Sequence, residues 1–65
     1  MIYVNGREQP DAAGLSALLE RLGVGEHARG VAVALDGEVV PRSQWPTASL
    51  EPGMRVEVVG AIQGG

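Results

Sequence analysis

The chain has 65 residues, with five arginines and no lysine against eight acidic residues for a formal net charge of −3, and it holds one tyrosine, one tryptophan and no cysteine. A chain this short is a single domain that buries about 60% of the surface its unfolded form exposes, so an enclosed catalytic cavity of ~300–1,000 Å³ would take up most of the core. Phosphate neutralisation and base stacking are poorly supplied, which argues against nucleic acid, and the absence of cysteine removes disulfides, thiolate metal sites and a cysteine nucleophile.

The opening "MIYV" is rich in β-formers and is followed by Asn5-Gly6, the pair favoured where both residues of a two-residue hairpin turn need positive φ. "REQ" is expected to return as the second strand, ended by Pro10. In "DAAGLSALLERLG", Leu15, Leu18, Leu19 and Leu22 recur at i, i+3, i+4 and i+7, which predicts an amphipathic helix. Asp11 or Gly14 is placed to cap its start and Gly23 to follow its end. A polar, glycine-rich loop, "GVGEHARG", leads into "VAVALDGEVVP", two strands around Asp36-Gly37 with Val31, Val33 and Leu35 on one face. Pro41 closes the second of these strands. "RSQWPTASLEPG" reads as irregular with about one helical turn, and "MRVEVVG" as the last strand, Val56 and Val58 facing opposite to Arg55 and Glu57.

Hairpin, helix, hairpin, strand is an α+β order. A mixed sheet of about five strands, with one main helix across one face and the last strand returning beside the first, is the two-layer solution that buries both apolar surfaces. This is the β-grasp, or ubiquitin-like, fold. The domain is expected over residues 1–60, with 61–65 as a flexible, projecting C-terminal tail.

No segment approaches the ~18 consecutive apolar residues of a membrane span, and the start lacks the basic and apolar regions of a signal peptide. The protein is expected to be soluble, cytoplasmic and free of membrane association. Gly23 to Ala28 match a dinucleotide-binding pattern, but that pattern requires a strand before it and a helix after it, and here it follows a helix. A phosphate loop would need a lysine. His27 stands alone as the only imidazole, and Ser16, Ser43 and Ser49 lack a nucleophile-elbow context that would join them to His27 and Asp11 or Asp36. No catalytic residue and no metal ligand set is assigned. Trp45 has two readings, a lid over one end of the core and a partner-facing anchor; the first is preferred.

The terminal "AIQGG" carries the remaining chemistry. Glycines lack Cβ, so an extended Gly64-Gly65 pair fits a slot too narrow for other residues. Ile62 and Gln63 would thread the partner's active site ahead of it, and five extended residues reach about 16–18 Å. A free carboxylate at Gly65 is a weak nucleophile, but held in line with an ATP α-phosphate it would form an acyl adenylate that accepts attack by sulfur or nitrogen. The partner would supply the ATP site.

These residues resemble the ThiS sulfur carriers of thiamin biosynthesis. The likeness covers nearly the whole chain: the first strand with "NG", "LSALLERLG", "VAVALDGEVVPRSQW", "LEPGMRVEVV" and the terminal "GG". It implies that Gly65 is adenylated by a ThiF-type adenylyltransferase and converted to a thiocarboxylate. Sulfur would come from a donor protein such as a cysteine desulfurase and pass to the thiazole ring on a ThiG-type synthase. The carrier would bind no cofactor of its own, the ATP being used by its partner, and would be a monomer when free. Two positions depart from the family pattern: Met54, where an acidic residue commonly follows glycine, and Gln63, where a small residue is usual. The alternatives are a carrier for molybdopterin, cysteine or natural-product synthesis, a ubiquitin-like modifier joined through Gly65 to lysines, and a β-grasp binding module with an idle tail.

Overall fold

In the computed structural model, which describes residues 1–25 and 29–60, the elements are β1 (Ile2–Val4), β2 (Arg7–Gln9), α1 (Leu15–Arg21), β3 (Val31–Leu35), β4 (Glu38–Val40), a 3₁₀ helix (Arg42–Thr47) and β5 (Arg55–Gly60). The strands form one sheet in the order β2-β1-β5-β3-β4. Two antiparallel hairpins are thus joined through β5, which runs parallel to β1 and antiparallel to β3. This mixed five-stranded sheet with one helix on it is the β-grasp arrangement that the order of elements predicts.

Both hairpin turns use Asx-Gly for the expected conformational reason. Asn5 and Asp36 have φ of 51° and 49°, followed by Gly6 and Gly37 at 85° and 87°, the two consecutive positive values that match the right-handed twist of the flanking strands. Period-2 alternation then sends Ile2, Val4, Val33 and Val56 to one face, where they are buried against Leu15, Leu18 and Leu19 of α1. Val31, Leu35 and Val58 pack on the margins of this cluster, and Leu22 does so from beyond the helix.

The helix is short, and its ends are tied by backbone. Gly14 is its N-cap without a side-chain hydrogen bond; the Leu15 N–H donates instead to the Ala48 carbonyl at 3.1 Å. That approach is close enough that a Cβ on Gly14 would lie 3.3 Å from the same oxygen. Asp11 does not cap the helix: its carboxylate meets the N-terminal ammonium at 2.7 Å. At the other end Gly23 has φ 83°, its N–H donating to Glu20 and that of Val24 to Leu19. This is the paired 5→2 and 6→1 pattern of a Schellman stop. Gly23 and Val24 therefore terminate a helix, a backbone role unrelated to dinucleotide binding. His27 lies outside the described residues.

The segment read as irregular with about one turn is a six-residue 3₁₀ helix with Pro46 inside it. Trp45 takes the core position: its side chain is buried, and its indole N–H donates to the Val40 carbonyl at 3.1 Å. The Arg42 guanidinium stacks over the ring, 4.5 Å from its centroid. Met54, the family departure, is half-buried against the core, and its turn retains a hydrogen bond from its N–H to the Glu51 carbonyl.

Candidate functional site

The residues assigned to the reactive tail, Ile62, Gln63, Gly64 and Gly65, lie outside the described residues. What the structure defines is the platform from which they start. β5 is the central strand, and its last residue, Gly60, is paired with Val31 at the beginning of β3.

Three sets of hydrogen bonds hold this strand. The β3 ladder runs from Leu35 opposite Val56 to Val31 opposite Gly60. At the start of β5, the Asp36 N–H donates to the Arg55 carbonyl at 2.8 Å, and the Asp36 carboxylate accepts the Arg55 N–H at 2.9 Å. On the other side, the Asn5 N–H donates to the Val56 carbonyl at 2.8 Å. The Asn5 carboxamide engages both main-chain groups of Val58, accepting its N–H at 2.9 Å and donating to its carbonyl at 3.2 Å. The turn residues chosen for positive φ are therefore also clamps on β5. Sequence reasoning missed this second role, since the Asn-Gly and Asp-Gly signals are local and the strand they grip lies far along the chain.

Beside the end of β5 the open face of the sheet is apolar. The register places Ala32 opposite Val59 and Ala34 opposite Val39. Val59 and Val39 are 65% and 70% exposed, far more than the inward valines of the same strands, so this strip is not part of the core. Arg55 and Glu57 continue the same face toward Tyr3.

Elsewhere, an open groove of about 350 Å³ between α1 and the 3₁₀ helix is lined by Leu19, Val24, Trp45 and Pro46, with Ser16 and Ser43 at its border. The acids weighed as serine partners are engaged elsewhere, Asp11 with the N-terminal ammonium and Asp36 with the Arg55 amide. Among the described residues no three His, Asp or Glu side chains gather as a metal site. No helix among them is long and apolar enough to cross a membrane.

The chain matches the family model described as ThiS family over residues 1–65. It is 38% identical over 66 residues, covering all of both chains, to the sulfur carrier protein ThiS of Thermus thermophilus. Its fold superposes with a TM-score of 0.77 on the crystal structure of the thiamine biosynthesis protein ThiS from Geobacter metallireducens, at 31% identity and covering 98% of this chain and 97% of that one. A solution structure of a thiamine biosynthesis protein from the same organism gives 0.75 at 32% identity, covering 98% and 86%. With a family match along its full length and a β-grasp sheet shared with solved relatives, the chain belongs to the ThiS family.

Proposed function

We propose that this protein is a sulfur carrier of thiamin biosynthesis, a protein cosubstrate whose Gly65 carboxylate is the reacting group. The observation that carries the reading is the family match through residue 65, which includes the Gly64-Gly65 pair. The relative from Thermus, alike along its whole length, is by name a sulfur carrier.

In the first step the carboxylate oxygen attacks the α-phosphorus of ATP, the bond to the β-phosphate breaks, and pyrophosphate leaves. The resulting acyl adenylate is a mixed anhydride. The outer sulfur of a persulfide on the donor protein then attacks its carbonyl, a C–S bond forms and AMP departs with the former C–O bond pair, leaving an acyl disulfide. A thiol of a partner protein attacks the S–S bond on the donor's sulfur, forming a new disulfide and releasing the terminal thiocarboxylate. Holding the carboxylate in line with the phosphate turns an unfavourable bimolecular encounter into a positioned one, and catalysis and ATP binding belong to a ThiF-type partner. A ThiG-type synthase would then accept the sulfur into the thiazole ring. Gln63 and Ile62 would line the partner's channel behind the glycine pair, and the exposed Val59 and Val39 strip would rest on the partner's surface. The carrier would act in the cytoplasm, as a monomer when free and with no cofactor of its own.

The test is intact-mass analysis of protein purified from its own cells after treatment with a thiol alkylator. The chain has no cysteine, so one adduct mapped to Gly65 is the expected result, and deletion of Gly64 and Gly65 should remove it while leaving the far-UV spectrum unchanged. Conjugates of Gly65 to lysines of other proteins, without an adduct, would identify a modifier instead. An adduct-bearing protein that fails to support thiazole formation would place the carrier in another pathway.

A further inference from the structure

We infer that Asn5 is a positioning residue, fixing the direction in which the reactive end of the chain leaves the sheet; this rests on the carrier reading above. β1 ends at Val4, whose partner on β5 is Val56. Beyond it Gly6 turns the chain away, so main-chain pairing on the β1 side stops while β5 continues to Gly60. The β3 side stays paired over that whole stretch.

Asn5 fills the missing side. Its Oδ1 takes the Val58 N–H at 2.9 Å and its Nδ2 donates to the Val58 carbonyl at 3.2 Å, so one side chain does what another strand residue would do. The site makes two demands of its occupant: a φ of 51°, and a short side chain carrying both a donor and an acceptor. Aspartate tolerates the backbone but lacks the donor, glycine lacks the side chain, and the longer glutamine is ill suited to the left-handed region. Asparagine meets both demands.

Val58 lies two residues before Gly60, and Gly65 comes seven residues after Val58. With both sides held, β5 keeps one course as far as Gly60. Held by β3 alone, Val58 to Gly60 gain freedom of twist, and the point from which the reactive end departs is less fixed. Of the docking strip only Val59 lies in the loosened stretch, while Val39 is untouched, so the deficit should fall mainly on turnover and less on KM.

The experiment compares the full-length wild type with Asn5→Gly, which keeps the positive φ and removes the amide, and Asn5→Asp, which keeps turn and acceptor and removes the donor. Amide exchange is read at Val58, Val59 and Gly60, and pyrophosphate release is followed with the ThiF-type adenylating partner, ATP and sulfide to discharge the acyl adenylate. Asn5→Gly loses both bonds of the amide, of which the one accepted from the Val58 N–H sets its protection, so exchange at Val58 should be about fivefold faster, with kcat lowered by about the same factor and KM for the carrier changed less. Asn5→Asp should fall between. Wild-type protection at Val58 in Asn5→Gly would overturn the clamp; lost protection with unaltered kcat, or a change confined to KM, would overturn the positioning role. A wild-type chain that releases no pyrophosphate would overturn the carrier reading and the positioning role with it, while the exchange contrast would still decide whether the clamp exists.

Discussion

Asp36 shows how much one turn residue contributes here. Its backbone takes a left-handed conformation, its N–H donates to the Arg55 carbonyl, and its carboxylate accepts the Arg55 N–H. Replacing it by alanine removes the acceptor and puts a Cβ-bearing residue without local side-chain hydrogen bonding at φ 49°. Together these should lower unfolding free energy by about 1–2 kcal/mol. Asp36→Asn keeps an oxygen in place and tolerates the same backbone, so it should stay within ~0.5 kcal/mol of the wild type. Urea denaturation followed through Trp45, the sole tryptophan, would distinguish them. Equal losses in the two variants would show that the carboxylate does not hold Arg55 through its oxygen.

At the scale of elements, α1 supplies three of the eight buried core side chains from a helix of seven residues. Isolated helices this short are marginal in water, so the leucine stripe must be held by the sheet. Leu18 is fully buried; Leu18→Ala should cost about 2–5 kcal/mol through lost transfer energy and a residual cavity. For a domain of this length that is a large share of total stability, whereas Leu18→Met conserves volume and should cost below ~1.5 kcal/mol. The denaturation midpoints of the two variants check this, and near-equal midpoints would contradict the packing described. The same stripe explains why the helix was legible in the sequence: its period is a local property of Leu15, Leu18, Leu19 and Leu22. Both hairpins were legible for the same reason. The 3₁₀ segment was legible only as about one helical turn, because "RSQWPT" has no 3.6-residue period, carries an internal proline, and is held by Trp45 reaching the Val40 carbonyl. Of the two residues suited to the cap by type, Asp11 and Gly14, it is Gly14 that takes the position, while the Asp11 carboxylate meets the N-terminal ammonium, a pairing that no local pattern reveals. Of the candidate site, the Gly64-Gly65 chemistry was legible because residue type and the family likeness are properties of the sequence itself, while the Asn5 and Asp36 clamps depend on where β5 inserts.

For the whole molecule, the consequence of placing the last strand at the centre of the sheet is that fold and reactive end are separable at one point in the chain. β5 is the only described strand that pairs with both hairpins, and its Val56 is fully buried between them. A chain ending at Gly53 would leave two unconnected two-stranded ribbons, each marginal alone in water, and a helix whose apolar face has lost its support. It should show no cooperative unfolding transition and collapsed amide dispersion. A chain ending at Gly60 keeps every strand pairing described here, so its midpoint should stay within ~0.5 kcal/mol of the full chain while adenylation falls to background. Spectroscopy and pyrophosphate release on the two truncations test both halves. A folded chain ending at Gly53 would deny β5 its structural role. Residual adenylation of the chain ending at Gly60 would show that Gly65 is not required as the acceptor, and fragmentation of the product would tell the new carboxylate of Gly60 from the side-chain carboxylates of the folded domain.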